Sequence, residues 1–146
     1  MDIEYRSMEM ADYPPVLSLW QSCEGIGLSS ADRPEAIQAY LARNPGMSQV
    51  ALAGEKVVGA VLCGHDGRRG FIHHLAVAEE WRKRDIGRNL VERCLKTLTA
   101  EGIEKSHLFV YSDNNKAIAF WQRIGWISRV ELDIMSIDHA VTDDGE

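Results

Sequence analysis

Long apolar runs are missing from this chain. Over its 146 residues no apolar stretch approaches the ~20 residues that a membrane-spanning helix needs. The segment MDIEYRSMEMADY carries no basic stretch followed by an apolar one, as a secretory leader would. These absences lead us to expect a cytoplasmic protein. Cysteine is scarce as well. Cys23, Cys63 and Cys94 are odd in number, far apart and outside any C-x-x-C pattern, which argues against a disulfide frame or zinc site and for reduced thiols in or near a core. Positive charge is in deficit, with 16 Lys and Arg against 22 Asp and Glu and a net charge of −6. That balance opposes nonspecific nucleic-acid binding unless the cations are gathered on one face. No repeat or linker divides the chain.

What remains is ordinary globular composition, 45% hydrophobic and 26% charged. A chain of this size buries roughly 68–70% of its unfolded surface, enough for one real core. We expect a single domain over residues 1–137, followed by an acidic tail at 138–146 that frays.

Residues 2–6 alternate as a first strand does. Asp12 offers a cap to a helix that tolerates Pro14 and Pro15 in its first turn and buries Val16, Leu17, Leu19, Trp20 and Cys23. Two glycines in residues 24–30 break it. Asp32 offers a second cap before Pro34, and Ile37, Tyr40 and Leu41 give a weaker stripe that ends at Asn44, Pro45 and Gly46. Residues 49–53 and 56–63 read as strands joined at Gly54 and Glu55. GHDGRRG at 64–70 is a turn, and without a following G-K-[ST] it is not a phosphate loop.

Residues 71–102 organise the rest. An apolar run with His73 and His74 leads into a basic turn, and the turn into a helix whose apolar face is Leu90, Val91, Cys94, Leu95 and Leu98, stopped by Gly102. Arg82, Lys83, Arg84 and Arg88 crowd that turn. Unpaired amides at a helix N-terminus, together with its dipole, make such a turn the natural place for a phosphorylated ligand. A solvated charged turn is the simpler alternative. Residues 108–111 read as a strand, Asp113 or Asn114 as a cap for a helix over 115–123, and 126–137 as one or two closing strands. The order β-α-α-β-β-β-α-β-α-β-β predicts a mixed α/β fold with helices on both faces of the sheet.

Two stretches carry a family resemblance. LAVAEEWRKRDIGRNLV resembles the acetyl-coenzyme-A motif of the GNAT superfamily of N-acetyltransferases, [QR]-x-x-G-x-[GA] after a strand ending L-A-V, and DNNKAIAFWQRIGW resembles the family's later N-x-x-A-x-x-x-Y-x-x-x-G-F segment. The resemblance implies a mostly antiparallel mixed sheet with splayed central strands. It also implies acetyl-CoA as cosubstrate, with no metal, and a cofactor site formed by Leu75, Ala76, Val77, Arg82, Lys83, Arg84, Asp85, Ile86, Gly87 and Arg88, joined by Asn114 and Trp121. Pantetheine would pair with the open edge at Leu75, Ala76 and Val77, where a backbone amide would polarise the thioester carbonyl.

Acetyl transfer to an amine requires a lone pair on nitrogen, hence a base, and histidine has an unperturbed pKa near 6.5. By resemblance His73 is the preferred base and His74 the second candidate. Strand alternation would send the two to opposite faces, so that only one could face a given pocket. A zinc site from His65, Asp66, His73 and His74 is disfavoured because those ligands would have to converge from a turn and from both faces of a strand. Two positions depart from the family pattern: Asp85 stands where it has its first glycine, and Trp121 where many members place an acidic tyrosine. Indole is a donor but no acid at neutral pH, so protonation of the departing thiolate falls to Tyr111, to water or to no residue.

The implied activity is N-acetyl transfer by direct attack in a ternary complex. The acceptor would be a small-molecule or protein amine, with no nucleic acid or membrane involved and a homodimer allowed. The alternatives are a noncatalytic CoA-binding or ligand-sensing module and a protein-interaction domain of the same fold.

Overall fold

The computed structural model describes residues 2–139, in two compact units that meet in sequence between Phe109 and Val110. The first unit is built on one sheet. Strand β1 (Ile3–Ser7) leads through a 3₁₀ turn into helices α1 (Tyr13–Ser22) and α2 (Pro34–Arg43). Strands β2 (Gln49–Ala53), β3 (Lys56–His65) and β4 (Gly70–Val77) follow, then helix α3 (Ile86–Ala100) and the short strand β5 (Ser106–Leu108). The strands lie in the order β1-β2-β3-β4-β5, antiparallel except for the parallel β4–β5 pair.

The two-residue periodicity of the strands divides the core. Val50, Leu52, Ala60, Leu62 and Ala76 face one way and are covered by Val16, Leu19 and Trp20 of α1 and Ile37 of α2. Residues of opposite parity face α3: a side chain at Gly59 would meet Ile86 and Leu90. The predicted helices on both faces of a mostly antiparallel mixed sheet are therefore present. Trp20 and Leu90 are fully buried. Each such side chain contributes on the order of 2 kcal/mol through removal from water.

Two expected helix caps are employed elsewhere. The Asp12 carboxylate accepts both Arg6 guanidinium nitrogens at 2.8 Å, and the Glu9 amide at the same distance. The Arg6 hydrogen bond, then the Glu9 amide, holds its acid well below the usual carboxylate range in spite of burial. Asp32 likewise makes no cap for α2, whose N-cap is Arg33. Both aspartates close 3₁₀ turns and reach away from the helices that follow.

The unit from Val110 holds α4 (Asn115–Arg123), capped by Asn114 Oδ1 accepting from the Ala117 amide at 3.1 Å. Ala117, Ile118 and Trp121 are half-buried there. Two strand expectations fail. The last strand among the described residues is Ser106–Leu108 and not 108–111, paired with Gly70, Phe71 and Ile72 of β4. Residues 126–137 alternate in sequence but form no strand, and Ile127, Val130, Leu132 and Met135 are exposed. The acidic tail expected to fray falls mostly at 140–146, outside the described residues. No helix among the described residues is long and apolar enough to cross a membrane.

Candidate functional site

Strand β4 is half-paired. Gly70, Phe71 and Ile72 bond to β5, whereas residues 73–77 have β3 on one side and, among the described residues, no strand on the other. This is the predicted splay. It arises where β5 ends, and it leaves the backbone polar groups of Leu75, Ala76 and Val77 along an open edge, where an extended ligand can pair as an added strand does.

That edge runs into the basic turn and then α3. Lys83 and Asp85 both hold left-handed backbone, each at φ 63°. Two left-handed residues so close together turn the chain sharply just before the first α3 amides, Ile86, Gly87 and Arg88, which helix geometry leaves without intrahelical partners. Asp85 is the N-cap residue, but its side chain makes no cap hydrogen bond. Ile86 anchors the helix start by burying its side chain against Gly59. Three arginines of the turn have local partners. Arg82 Nε donates to the Val77 carbonyl at 3.0 Å, Arg84 lies 4.9 Å over the Trp81 ring, and exposed Arg88 pairs with Glu92 at 3.4 Å. Surface contacts of this kind are worth roughly 0–1 kcal/mol, so an incoming anion can compete for them.

The two histidines do not point to opposite faces. Leu62 pairs with His73 and Ala60 with Ala76, so Val61 alone opposes His74 and Leu75. This is a β-bulge, and His74 takes its left-handed position at φ 55°, a conformation usually left to glycine. The extra residue resets the alternation. His73 then approaches Tyr40 of α2, with ring centroids 6.4 Å apart, while His74 approaches Trp20 of α1 at 5.0 Å. Both rings thus lie on the α1–α2 side of the sheet, 6.5 Å from one another.

Their environments differ. His73 sits among rings, stacked on Phe71 at 6.4 Å and 6.1 Å from Phe109. Burial first, then the neighbouring His74, lowers its pKa below the ordinary 6.5, against a smaller upward pull from Asp32. His74 Nε2 lies 2.9 Å from Asp32 Oδ1, with the two side chains only 18% and 8% exposed. Asp32 Oδ2 accepts the Ser29 amide at 3.1 Å, and its backbone carbonyl accepts the Tyr13 hydroxyl at 2.6 Å. An ionised carboxylate can only accept, so Nε2 carries the hydrogen, and in the neutral ring Nδ1 keeps the lone pair.

Beside His73 lies a pocket of about 170 Å³, lined by Tyr40, Arg43, Asn44, His65, Asp66 and Phe71 among others. The residues of the disfavoured zinc site have separate employment. His65 Nδ1 accepts from the Gly67 amide and its Nε2 faces Glu101, Asp66 accepts the Arg68 and Arg69 amides, and His74 pairs with Asp32. Among the described residues no three His, Cys, Asp or Glu side chains converge as metal ligands. The Cys94 thiol is pushed far up by its hydrogen bond with Cys63 and by burial, which removes it as a nucleophile.

Tyr111, Asn114 and Trp121 belong to the second unit. Tyr111 is 59% exposed, Asn114 caps α4, and Trp121 packs edge-on against Phe120 and Trp126 at 5.2 Å. Sequence reasoning missed Trp20 and Asp32 as partners of His74, and Arg43 and Asn44 as walls of the pocket. It took the first two as core and cap. No local signal links them to a strand more than 40 positions away.

Comparison with known proteins places this geometry among relatives. The family model described as acetyltransferase (GNAT) family matches residues 13–126. An acetyltransferase of Pectobacterium atrosepticum is 30% identical over 145 residues, covering 99% of each chain. Among solved structures, Ard1 of Thermoplasma volcanium superposes with a TM-score of 0.77 at 20% identity, covering 87% of this chain and 84% of the other. The paia N-acetyltransferase of Thermoplasma acidophilum, solved in complex with coenzyme A, gives 0.74 at 17% identity, covering 86% and 89%.

Proposed function

The chain belongs to the acetyltransferase (GNAT) family, and from that premise we propose that it moves the acetyl group of acetyl-CoA to a primary amine by direct attack in a ternary complex. The observation that carries this reading is the open edge of β4 at residues 73–77, continuous with the turn that delivers the α3 amides. The pantetheine arm would pair along Leu75, Ala76 and Val77. The pyrophosphate would sit at the amides of Ile86, Gly87 and Arg88 within reach of Arg82, Lys83 and Arg84. A coenzyme-A complex of a similarly folded N-acetyltransferase supports the choice of cosubstrate. The family match runs across both compact units, which favours residues 1–137 as one functional domain.

The chemistry follows from the bonds exchanged. An ammonium acceptor gives one proton to a base on β4, and the freed lone pair attacks the thioester carbonyl. Negative charge grows on the carbonyl oxygen and is met by a backbone N–H of the edge. The C–S bond then breaks, and the second nitrogen proton neutralises the departing thiolate. The products are an amide, free CoA and one proton. A thiol pKa of about 8.5 makes the thiolate a tolerable leaving group even where Trp121 supplies no acid. The acceptor would enter by the pocket beside His73.

The test combines calorimetry with CoA and a free-thiol assay with acetyl-CoA over polyamines, aminoglycosides, lysine peptides and free peptide N-termini. Saturable CoA binding with transfer to at least one amine is expected. Binding without transfer would favour the noncatalytic CoA module, a reading that Asp85 and Trp121 motivate. No binding at low salt would defeat both.

A further inference from the structure

We propose that His74, rather than His73, is the general base, and that Asp32 is its positioning residue. This rests on the acetyl-transfer reading above and assigns the proton path within it. A base in acyl transfer needs a lone pair aimed by a fixed tautomer, a counter-charge for the cation it becomes, and access to the reacting nitrogen.

Asp32 supplies His74 with the first two needs, Trp20 and the backbone hold the residue in place, and its position in the chain bears on the third. Asp32 Oδ1 stands 2.9 Å from Nε2, which fixes the hydrogen there and presents Nδ1 as the acceptor. The same carboxylate faces the imidazolium once Nδ1 takes a proton. Trp20 Nε1 donates to the His74 carbonyl at 3.1 Å, and its ring packs edge-on 5.0 Å from the imidazole. The residue holds φ 55°, a backbone state that persists only where its surroundings enforce it and that clusters at working sites. It directly precedes the open edge at Leu75, Ala76 and Val77, where the thioester would lie.

His73 is differently equipped. Its ring neighbours are Tyr40, Phe71 and Phe109, which provide an apolar wall, and Asp32 acts on it only through space, its carboxylate being hydrogen-bonded to His74 instead. The structure therefore divides the pair, with His73 shaping the acceptor pocket and His74 Nδ1 taking the ammonium proton before the nitrogen attacks.

The experiment compares His74→Gln, His73→Gln, Asp32→Asn and Asp32→Glu in acetyl transfer from acetyl-CoA. Spermidine and a lysine peptide serve as protonated acceptors, and trifluoroethylamine as an amine already neutral at pH 7. His74→Gln should lower kcat roughly 10²-fold or more with the protonated acceptors, leave the KM for acetyl-CoA unchanged, and lose much less with trifluoroethylamine. His73→Gln should act on acceptor KM. Asp32→Asn should lower kcat, and Asp32→Glu should recover part of it. The imidazole ¹⁵N spectrum of the folded wild-type chain should show His74 as the Nε2–H tautomer.

Full activity in His74→Gln, the larger kcat loss in His73→Gln, or an Nδ1–H tautomer at His74 would overturn the assignment while acetyl transfer itself stands. A wild-type chain that binds CoA and acetylates none of the amines would instead defeat the transfer reading, and the base with it.

Discussion

The indole N–H of Trp20 donates to the carbonyl oxygen of His74, joining the middle of α1 to the bulge of β4 across 54 positions of sequence. The contact answers a local shortage. A bulge residue loses its place in the ladder, so its buried backbone groups need partners from outside the sheet. Trp20 is fully buried and supplies one.

Trp20→Phe removes that donor together with part of a fully buried ring system. It should cost about 2–4 kcal/mol, from the carbonyl left without its partner and the cavity left by the smaller ring, read as a lower urea midpoint at unchanged slope. Because the bulge also aims His74, kcat should fall while CoA affinity holds. A stable variant with wild-type kcat would show that the indole merely fills space.

His73 gives a pH signature whose sign is fixed by its burial. Its folded pKa lies below the 6.5 of the exposed ring, so below that pH the unfolded chain binds more protons than the folded one. Stability contributed by the neutral buried ring is then complete above the unfolded value and is lost as pH falls toward the folded one. Several other groups face the ring or its pocket. These are His74 and Asp32, Arg43 and His65, the Tyr40 phenol that burial pushes up, and Asp66, which its loop amides hold low and therefore charged. Urea midpoints measured from about pH 7.5 down to 5 should drop further for the wild type than for His73→Phe. Parallel curves would place the titration on another group.

Asp85 sits in left-handed backbone at φ 63° with its carboxylate unused as a cap. Asp85→Gly removes a strained side chain and a negative charge beside the proposed pyrophosphate site. Glycine should stabilise the turn by about 0.5–1 kcal/mol. CoA should bind roughly threefold to tenfold tighter by calorimetry, with the gain shrinking as salt rises. Weaker binding would mean that the carboxylate orients one of the arginines.

Most of the frame was legible, because α1 and α3 carry clear apolar faces, α2 a weaker one between Pro34 and Pro45, and the strands are set off by stops such as Gly54. The failures share a physical cause, since a partner strand or distant acceptor leaves no mark on the local pattern. Residues 126–137 alternate as a strand would, yet pairing needs an edge as well as a pattern. Ser106 and His107 look unlike strand residues but lie opposite Gly70 and Phe71 and so become one. At the site, Asp32 resembles a helix cap in sequence and becomes the partner of His74 only in space. The bulge was hidden because its left-handed residue is a histidine and not a glycine. That single extra residue overturned the expectation that His73 and His74 face opposite ways.

The pocket wall offers a test in which two changes should compensate. A Cβ at Gly64 would stand 2.6 Å from the Tyr40 hydroxyl and 2.6 Å from Asn44 Nδ2. Asn44 cannot easily yield, because its Nδ2 donates to the Tyr40 carbonyl and its Oδ1 accepts the His65 amide, both at 3.2 Å. Gly64→Ala should therefore cost about 1–3 kcal/mol through overpacking and raise acceptor KM as the wall shifts. The Tyr40 hydroxyl is buried without a hydrogen-bond partner among the described residues. Tyr40→Phe should accordingly be neutral or stabilising by up to about 1 kcal/mol, since it removes a desolvated group that gains nothing in return. It also vacates one of the two positions that the new methyl would strike. In the double variant the loss should be smaller than the sum of the singles, with a coupling of about 0.5–2 kcal/mol from urea denaturation. Strict additivity would mean that Asn44 alone takes the clash and that the hydroxyl already has room to move.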